Sequence, residues 1–340
     1  MPRSRATIRD VAEQAGVSVA TVSKVLNDRY GVSVATQGRV RQVIDDLGYQ
    51  SSIVASSLRS HRTGVLGVLV ADLEPFSTEL LKGVATAVRG TGYELVIYSA
   101  GGRSGDRVGW ERRYLSRLGG TLIDAALLVT PTAVDADSGL PVVAVDPHTG
   151  VGAVPTVRAD DERGARLAVD HLLALGHRRI AFISGWPGLG STGRRHEGYR
   201  ASLAAAGVPL DPSLDVEGDA TEERAHALAR ALLERPDRPT AVFAGNDMAA
   251  LGVLDAARDL GLDVPGQLSV VGFDNVPEAV MSTPALTTVE QPMQAMGEQA
   301  LRMLLELLQG GTPAPQVVVD TRLVVRHSTA PPPAAPAPPR

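Results

Sequence analysis

Polar side chains stand at the ends of several short apolar runs. They are Asp72 after VLGVLVA, Thr130 after AALLV, Asp146 after PVVAV, Asp160 after TVRA, Asn246 and Asp247 after AVFAG, and Asp274 after SVVGF. Such runs read as buried strands, and in open parallel sheets ligands bind outside the strands' carboxyl ends. Arg195 opens a helical run around Gly198 and Tyr199. Carboxylates and an amide facing one guanidinium suit a neutral polyol, whose hydroxyls donate to the acids and accept from the arginine, whereas a phosphate would meet too much like charge. Each acid alone serves equally well as a helix cap or turn residue, so the set carries the reading. Asp247 is the one assigned to capping.

A second group lies near the N-terminus. If Val22, Val25 and Leu26 form the buried face of a helix capped by Ser18, then Val19, Ala20, Ser23, Lys24 and Asn27 point outward. Small groups at the start of that helix allow close approach to a DNA major groove, where apolar atoms meet a thymine methyl. Lys24 reaches guanine O6/N7, and hydroxyls with helix N–H groups hold phosphates.

Other chemistry is poorly supported. Gly188, Gly190 and Gly193 fit G-x-G-x-x-G, with Asp211 downstream, but Gly185, Trp186 and Pro187 separate the run from the strand RIAFIS. The dinucleotide fingerprint starts at the strand end, so the run reads as a flexible cleft loop before Arg195 rather than a nicotinamide site. There is no P-loop, no G-x-S-x-G elbow and no histidine pair at metal spacing, and the seven histidines read as solvated. The absence of cysteine excludes disulfides, thiolate metal sites and thiol nucleophiles. Neither a metal nor a cofactor is expected.

The elements that position these groups follow from punctuation and period. Thr7 with Asp10 caps a helix whose stripe is Ile8, Val11, Ala12 and Ala15, and Gly16 ends it. Ser33 caps a third helix with Val40, Val43, Ile44 and Leu47 inward and Gly48 as its stop. Two helices joined by a tight glycine turn and braced by a third make a helix-turn-helix head. From residue 63 onward, strand candidates at 65–70, 95–100, 125–129, 142–146, 180–184, 241–244, 268–273 and 317–325 alternate with helical patterns near 77–90, 106–118, 162–175, 194–206, 222–235, 247–260 and 293–309. That alternation means α/β architecture with parallel sheets covered on both faces, and its length favours two lobes with a cleft. Residues 1–62 carry nine Lys and Arg against five Asp and Glu, whereas the remainder is net −9. A basic head on an acidic body suits two different partners. No apolar run approaches the ~18 residues of a membrane span, and the start has no apolar stretch of the secretory kind, so a cytoplasmic location is expected and a secreted solute-binding protein is disfavoured.

The runs ATIRDVAEQAGVSVATVSKVLN, GVSVATQGRVRQVIDDLGY and VASSLRSHRTGVLGVLV, then LGHRRIAFISG, RRHEGYRASLAAAG, AVFAGNDMAALGVLDAARDLGLDVPGQLSVVGFDN and PALTTVEQP, together resemble the lactose-repressor family over about residues 5–328. The resemblance implies a DNA-binding domain at 1–50, a hinge helix at 51–62 and a two-lobed periplasmic-binding-protein-like body at 63–328, while the Pro-rich composition of 329–340 reads as a disordered tail. It implies a transcriptional regulator, most often a repressor, that binds a near-palindromic double-stranded operator as a homodimer under control of a small molecule. Positions matching the family's DNA contacts are Ile8, Arg9, Ser18, Val19, Ala20, Thr21, Ser23, Lys24, Asn27, Ser33, Thr36, Tyr49, Ser52, Ala55 and Leu58, the last as a minor-groove wedge. Ser51 and Ser52 replace the family's Pro-Asn, and Gly38 lies inside the third helix at a cost of up to ~1 kcal/mol relative to alanine. Positions matching effector contacts are Asp72, Phe76, Thr130, Asp160, Arg195, Asn246, Asp274 and Gln291. Where many members supply a ring after the strand near 216–219, this chain has Ala220, which leaves Phe76 or Trp186 to stack on a sugar face. A sugar effector is therefore expected, with a purine or nucleoside as the alternative within the same architecture. No leucine heptads follow the body, so a dimer rather than a tetramer is expected.

Overall fold

The computed structural model describes residues 6–26, 30–49, 62–100, 109–119, 121–133, 139–148, 154–186 and 188–333. Asn27, Ser52, Ala55 and Leu58, and with them all but the last residue of the expected hinge helix, lie outside these. Two compact units divide the chain near residue 63.

The first unit holds α1 (Ile8–Ala15), α2 (Val19–Leu26) and α3 (Val34–Leu47). Its punctuation follows the expected chemistry. Thr7 and Asp10 form a reciprocal capping box, and Gly16 ends α1 at φ 63°, a left-handed conformation that glycine adopts without steric cost. Ser18 Oγ accepts the Thr21 N–H at 3.1 Å and Ser33 Oγ accepts that of Thr36 at 3.3 Å. The core is made of small side chains, with Val11, Ala12, Ala15, Val22, Val25, Val40 and Val43 buried, and Ile8, Leu26, Ile44, Leu47 and Tyr49 partly buried around them.

The second unit contains two six-stranded sheets. The first, ordered β11-β5-β4-β3-β1-β2, joins β1 (Val65–Val70), β2 (Glu94–Ser99), β3 (Ala125–Val129), β4 (Val142–Val145), β5 (Thr156–Ala159) and β11 (Gln316–Val319) in parallel. The second, β12-β10-β9-β8-β6-β7, joins β6 (Ile180–Ile183), β7 (Asp215–Val216), β8 (Ala241–Ala244), β9 (Ser269–Asp274), β10 (Thr287–Glu290) and β12 (Arg322–Val324), with only β12 antiparallel. The central strands of each sheet are buried on both faces, as in parallel sheets, and the edge strands β2, β7, β11 and β12 stay partly exposed. In the first lobe Leu66, Val68 and Val70 pack under α4 (Pro75–Ala87) and the long helix Met293–Leu308, while Val65 and Leu69 meet Trp110 and Leu115 of α5 (Trp110–Leu118) on the opposite face. In the second lobe Phe182, Phe243 and Phe273 pack against α6 (Asp161–Ala174) and α7 (Gly190–Ala205). The other face meets α8 (Glu222–Leu233) and α9 (Asp247–Asp259).

The chain passes between the lobes three times: from β5 into α6, from β10 into Met293–Leu308, and from β11 into β12. The third passage corrects the expected single strand 317–325. Asp320 and Thr321 divide that apolar run between two sheets, and Thr321 Oγ1 donates to the Asp160 carbonyl at 3.1 Å, tying the third passage to the first. Three strands lie outside the expected strand ranges, although TVRA before Asp160 and a strand near 216–219 are both noted in the sequence. β5 (TVRA) carries a charge, β7 has two residues, and β10 (TTVE) is polar by type although Thr287 and Thr288 are fully buried. Helix α7 begins at Gly190, so Gly190–Gly193 are its first turn rather than the expected loop.

The expected disordered tail needs correction at its start, at Thr329 and Ala330, while 334–340 lie outside the described residues. Thr329 bonds with His171 at 3.0 Å, and the Ala330 carbonyl accepts from Ser269 Oγ at 3.0 Å and lies 2.9 Å from His177 Nε2. His177 is 1% exposed, not solvated; its other ring nitrogen meets Thr240 Oγ1 at 2.9 Å. Both histidines are shifted below the usual imidazole range, chiefly because burial disfavours the charged ring.

Candidate functional site

The first candidate surface is the exposed flank of α2. Ser18, Val19, Ala20 and Lys24 are exposed, and Thr21 and Ser23 partly so, while Val22 and Val25 seal the opposite side. Arg9 and Ser33 are exposed, and Thr36 is half-buried with its hydroxyl 2.9 Å from that of Ser33. Ile8 and Tyr49 sit partly in the head's core, so they brace the surface as much as extend it. A helix offering small side chains, hydroxyls and one lysine beyond a glycine turn has the form of a recognition helix.

The second candidate site lies at the carboxyl ends of the strands. All five non-glycine residues with positive φ among those described cluster there: Thr130 (46°) after β3, Asp146 (45°) after β4, Ala220 (63°) in the loop after β7, and Asp274 (117°) with Asn275 (61°) at the end of β9. A β-branched threonine in this region is a steric outlier, and such strain collects at ligand sites held by a rigid frame.

Arg195 lies at the centre, 8% exposed on α7. It is positioned from beneath, where Tyr199 stacks on Phe182 (ring centroids 5.2 Å apart) and donates its hydroxyl to the Ile180 carbonyl at 2.9 Å. Gly198 lets α7 cross α6 closely; a Cβ there would meet the Glu162 carbonyl at 2.4 Å. The Arg195 guanidinium donates through Nε to Asp161 Oδ1 (3.0 Å) and through Nη1 to the Gly245 carbonyl (2.5 Å). It also lies 3.7 Å from Asp274 Oδ1 and 3.8 Å over the Phe273 ring. Gln291 Nε2 donates to Asp274 Oδ1 at 2.5 Å.

The structure therefore brings Arg195, Asp274 and Gln291 together as expected and adds Asp161, which the sequence reading missed. The other members are engaged separately. Asp160 caps α6 through the Arg163 N–H (3.3 Å), and exposed Asp72 accepts the Leu73 N–H (2.7 Å). Asn246 caps α9 by accepting the Ala249 N–H (2.9 Å) and donates to the Ala220 carbonyl (3.0 Å). Asn246, not Asp247, is thus the cap. Asp247 is fully buried, accepting from Thr288 Oγ1 (2.5 Å) and the Val276 N–H (2.9 Å). Phe76 packs partly into the first lobe's core, and Trp186 is half-buried in the loop after β6.

Burial pushes the Asp274 carboxyl up to about 7, against the opposing pull of Arg195, and it raises Asp161 and Asp247 in the same direction. A carboxyl with a higher pKa folded than unfolded binds more protons in the native state, so its contribution to stability shrinks as pH rises from the ordinary 3.8 to about 7. We expect Asp274→Asn to lose less melting temperature than the parent chain between pH 5 and pH 8. Equal losses in thermal melts would contradict the assignment.

A helix-turn-helix unit followed by a two-lobed α/β body with a charged cluster at its strand ends defines a DNA-binding regulator controlled by a small molecule. Residues 7–52 match the family described as bacterial regulatory proteins, lacI family, and residues 169–329 match a periplasmic binding protein-like domain. The HTH-type transcriptional repressor PurR of Yersinia pestis bv. Antiqua is 35% identical over 96% of this chain and 97% of its own. Among solved structures, the transcriptional regulator CelR–cellobiose complex is similar at 34% identity and TM-score 0.71, covering 95% of this chain and all of that one. The lac repressor dimer bound to operator and the anti-inducer ONPF is similar at 27% identity and TM-score 0.84, covering 96% of this chain and all of that one. The chain belongs to the LacI family. Among the described residues no helix is long and apolar enough to cross a membrane.

Proposed function

We propose that this regulator is a cytoplasmic, homodimeric repressor, without enzymatic activity, whose cleft takes a sugar. The observation that carries the effector class is the buried set of Arg195, Asp161, Asp274 and Gln291 at the strand ends. A sugar hydroxyl donates and accepts at once, so vicinal hydroxyls match a carboxylate beside a guanidinium without bringing net charge. The loop after β7 presents Ala220 where a ring would stack on a planar base, and half-buried Trp186 offers an aromatic face for a sugar ring. The solved relative holding cellobiose supports the same reading. The G-x-G-x-x-G run supports no cofactor role, since β6 ends at Ile183 and the dinucleotide fingerprint starts at the strand end.

A thermal-shift series with cellobiose, common monosaccharides, hypoxanthine and guanine tests the assignment. A true effector at 100 times its Kd stabilises by about 2.7 kcal/mol, which raises the melting temperature by roughly 5–10 °C for a body of this size. At least one sugar is expected to give such a shift and to change affinity for operator DNA. A shift with a purine alone would overturn the sugar assignment and leave the regulator intact.

A further inference from the structure

Arg194 precedes Arg195 on α7, yet its side chain faces a different partner. Its Nε and Nη2 donate to Asp161 Oδ2 at 2.9 and 2.7 Å, and Nη2 also donates to Asp146 Oδ1 at 2.9 Å. Asp146 follows β4 of the first lobe, whereas Arg194 and Asp161 belong to helices of the second. The contact is partly desolvated, with side-chain exposures of 22% for Arg194, 9% for Asp146 and 1% for Asp161. Backbone carbonyls close in at the same seam. A Cβ on Gly190 would lie 3.3 Å from the His148 carbonyl and 3.4 Å from that of Pro147, and would also meet Arg194 Nη1 at 2.9 Å, so the start of α7 abuts the loop after β4.

We propose that Arg194 and Asp146 form an interlobe clasp, seated on Asp161, that holds the lobe arrangement seen here and hands strain at the seam to the effector cluster. Asp161 gives Oδ2 to Arg194 and Oδ1 to Arg195, and Arg195 neighbours Asp274, which Gln291 joins to the second interlobe passage. A change of lobe angle that parts Asp146 from Arg194 frees one donor of the pair and alters the field on Asp161, and through it the seat of Arg195. The glycine run that resembled a cofactor loop then has a structural reason. Gly190 provides the close approach and Arg194 the ionic closure.

The clasp deepens the effector-switch reading and rests on it for its consequence, but its test needs neither effector nor operator. The chain has no cysteine, so Ser116→Cys on α5 and Ala204→Cys on α7, both exposed, report the interlobe distance by single-molecule energy transfer without background labelling. The measurement uses full-length protein in which one protomer of an assembly carries both dyes. Arg194→Gln and Asp146→Asn are each expected to reduce the population at the parental distance about fivefold, in the same direction, with the double variant no further displaced than either single one. Unchanged distributions in both, or effects that add in the double variant, would overturn the clasp. If Arg194→Gln does not fold because Asp161 loses a partner, Asp146→Asn in the other lobe decides alone. An intact clasp without any sugar response counts against the effector assignment only, and the converse outcome counts against the clasp only.

Discussion

Arg195→Ala is expected to abolish the effector response while operator binding persists. The substitution leaves Asp161 and Asp274 buried without their shared cation and removes the donor to the Gly245 carbonyl. Removing one partner of a buried, hydrogen-bonded charge pair costs about 3–5 kcal/mol, enough to lower the melting temperature of the body by roughly 10 °C. The head does not depend on Arg195 for its core, so DNA affinity without effector stays near that of the parent chain. Arg195→Lys keeps the charge but loses the planar fork that spans Asp161 and Gly245, so a weakened rather than absent response is expected. Operator titrations across an effector series check both variants. A full dose response in Arg195→Ala would remove this residue from the effector site.

Val22→Asp is expected to act in the opposite sense, abolishing specific DNA binding while sparing the body. Val22 is fully buried among six other alanine and valine side chains. A domain this small rarely holds more than about 3–5 kcal/mol of stability, and burying an unpaired carboxylate costs at least several kcal/mol. The head should therefore unfold, with operator affinity falling at least about 100-fold toward the non-specific level. The main thermal transition and effector binding should be unchanged. Lys24→Ala supplies the folded control: exposed Lys24 contributes nothing to the core, so the head remains folded and affinity falls about 10- to 100-fold through a lost base contact. Retention of specific binding by Val22→Asp would show that α2 is not the recognition element.

The head was legible residue by residue because its rules are local. Thr7 and Asp10, Gly16 with its turn, Ser18 and Ser33 each act within four residues of their own position. Parallel strands buried on both faces were legible for a related reason, since unbroken apolar runs such as VLGVLV have few other uses. What escaped the sequence is non-local. Asp161 looks like an acidic first-turn residue of α6 until the fold brings residues 33 and 34 positions away onto its two oxygens. Asn246 and Asp247 are adjacent, and only the packing of β9 and β10 against α9 decides that the aspartate is buried and the asparagine caps. His177 reads as an exposed residue of a turn, yet its partners Thr240, Ser269 and Ala330 come from distant segments. β10 was missed because threonine-rich strands lack an apolar signature, although the Thr287 and Thr288 hydroxyls find partners in the Thr329 hydroxyl and the Asp247 carboxylate that make their burial tolerable.

The triple passage between lobes bears on how the molecule is made. Met293–Leu308 and β11 complete the first lobe, and β12 then pairs with β10 to close the second. Neither lobe has its full set of layers until synthesis has reached about residue 324. A nascent chain halted before β11 holds two unfinished sheets, so premature termination before that strand should yield a chaperone client rather than a working half. Regulators of this design should accordingly resist being split into separately expressed lobes.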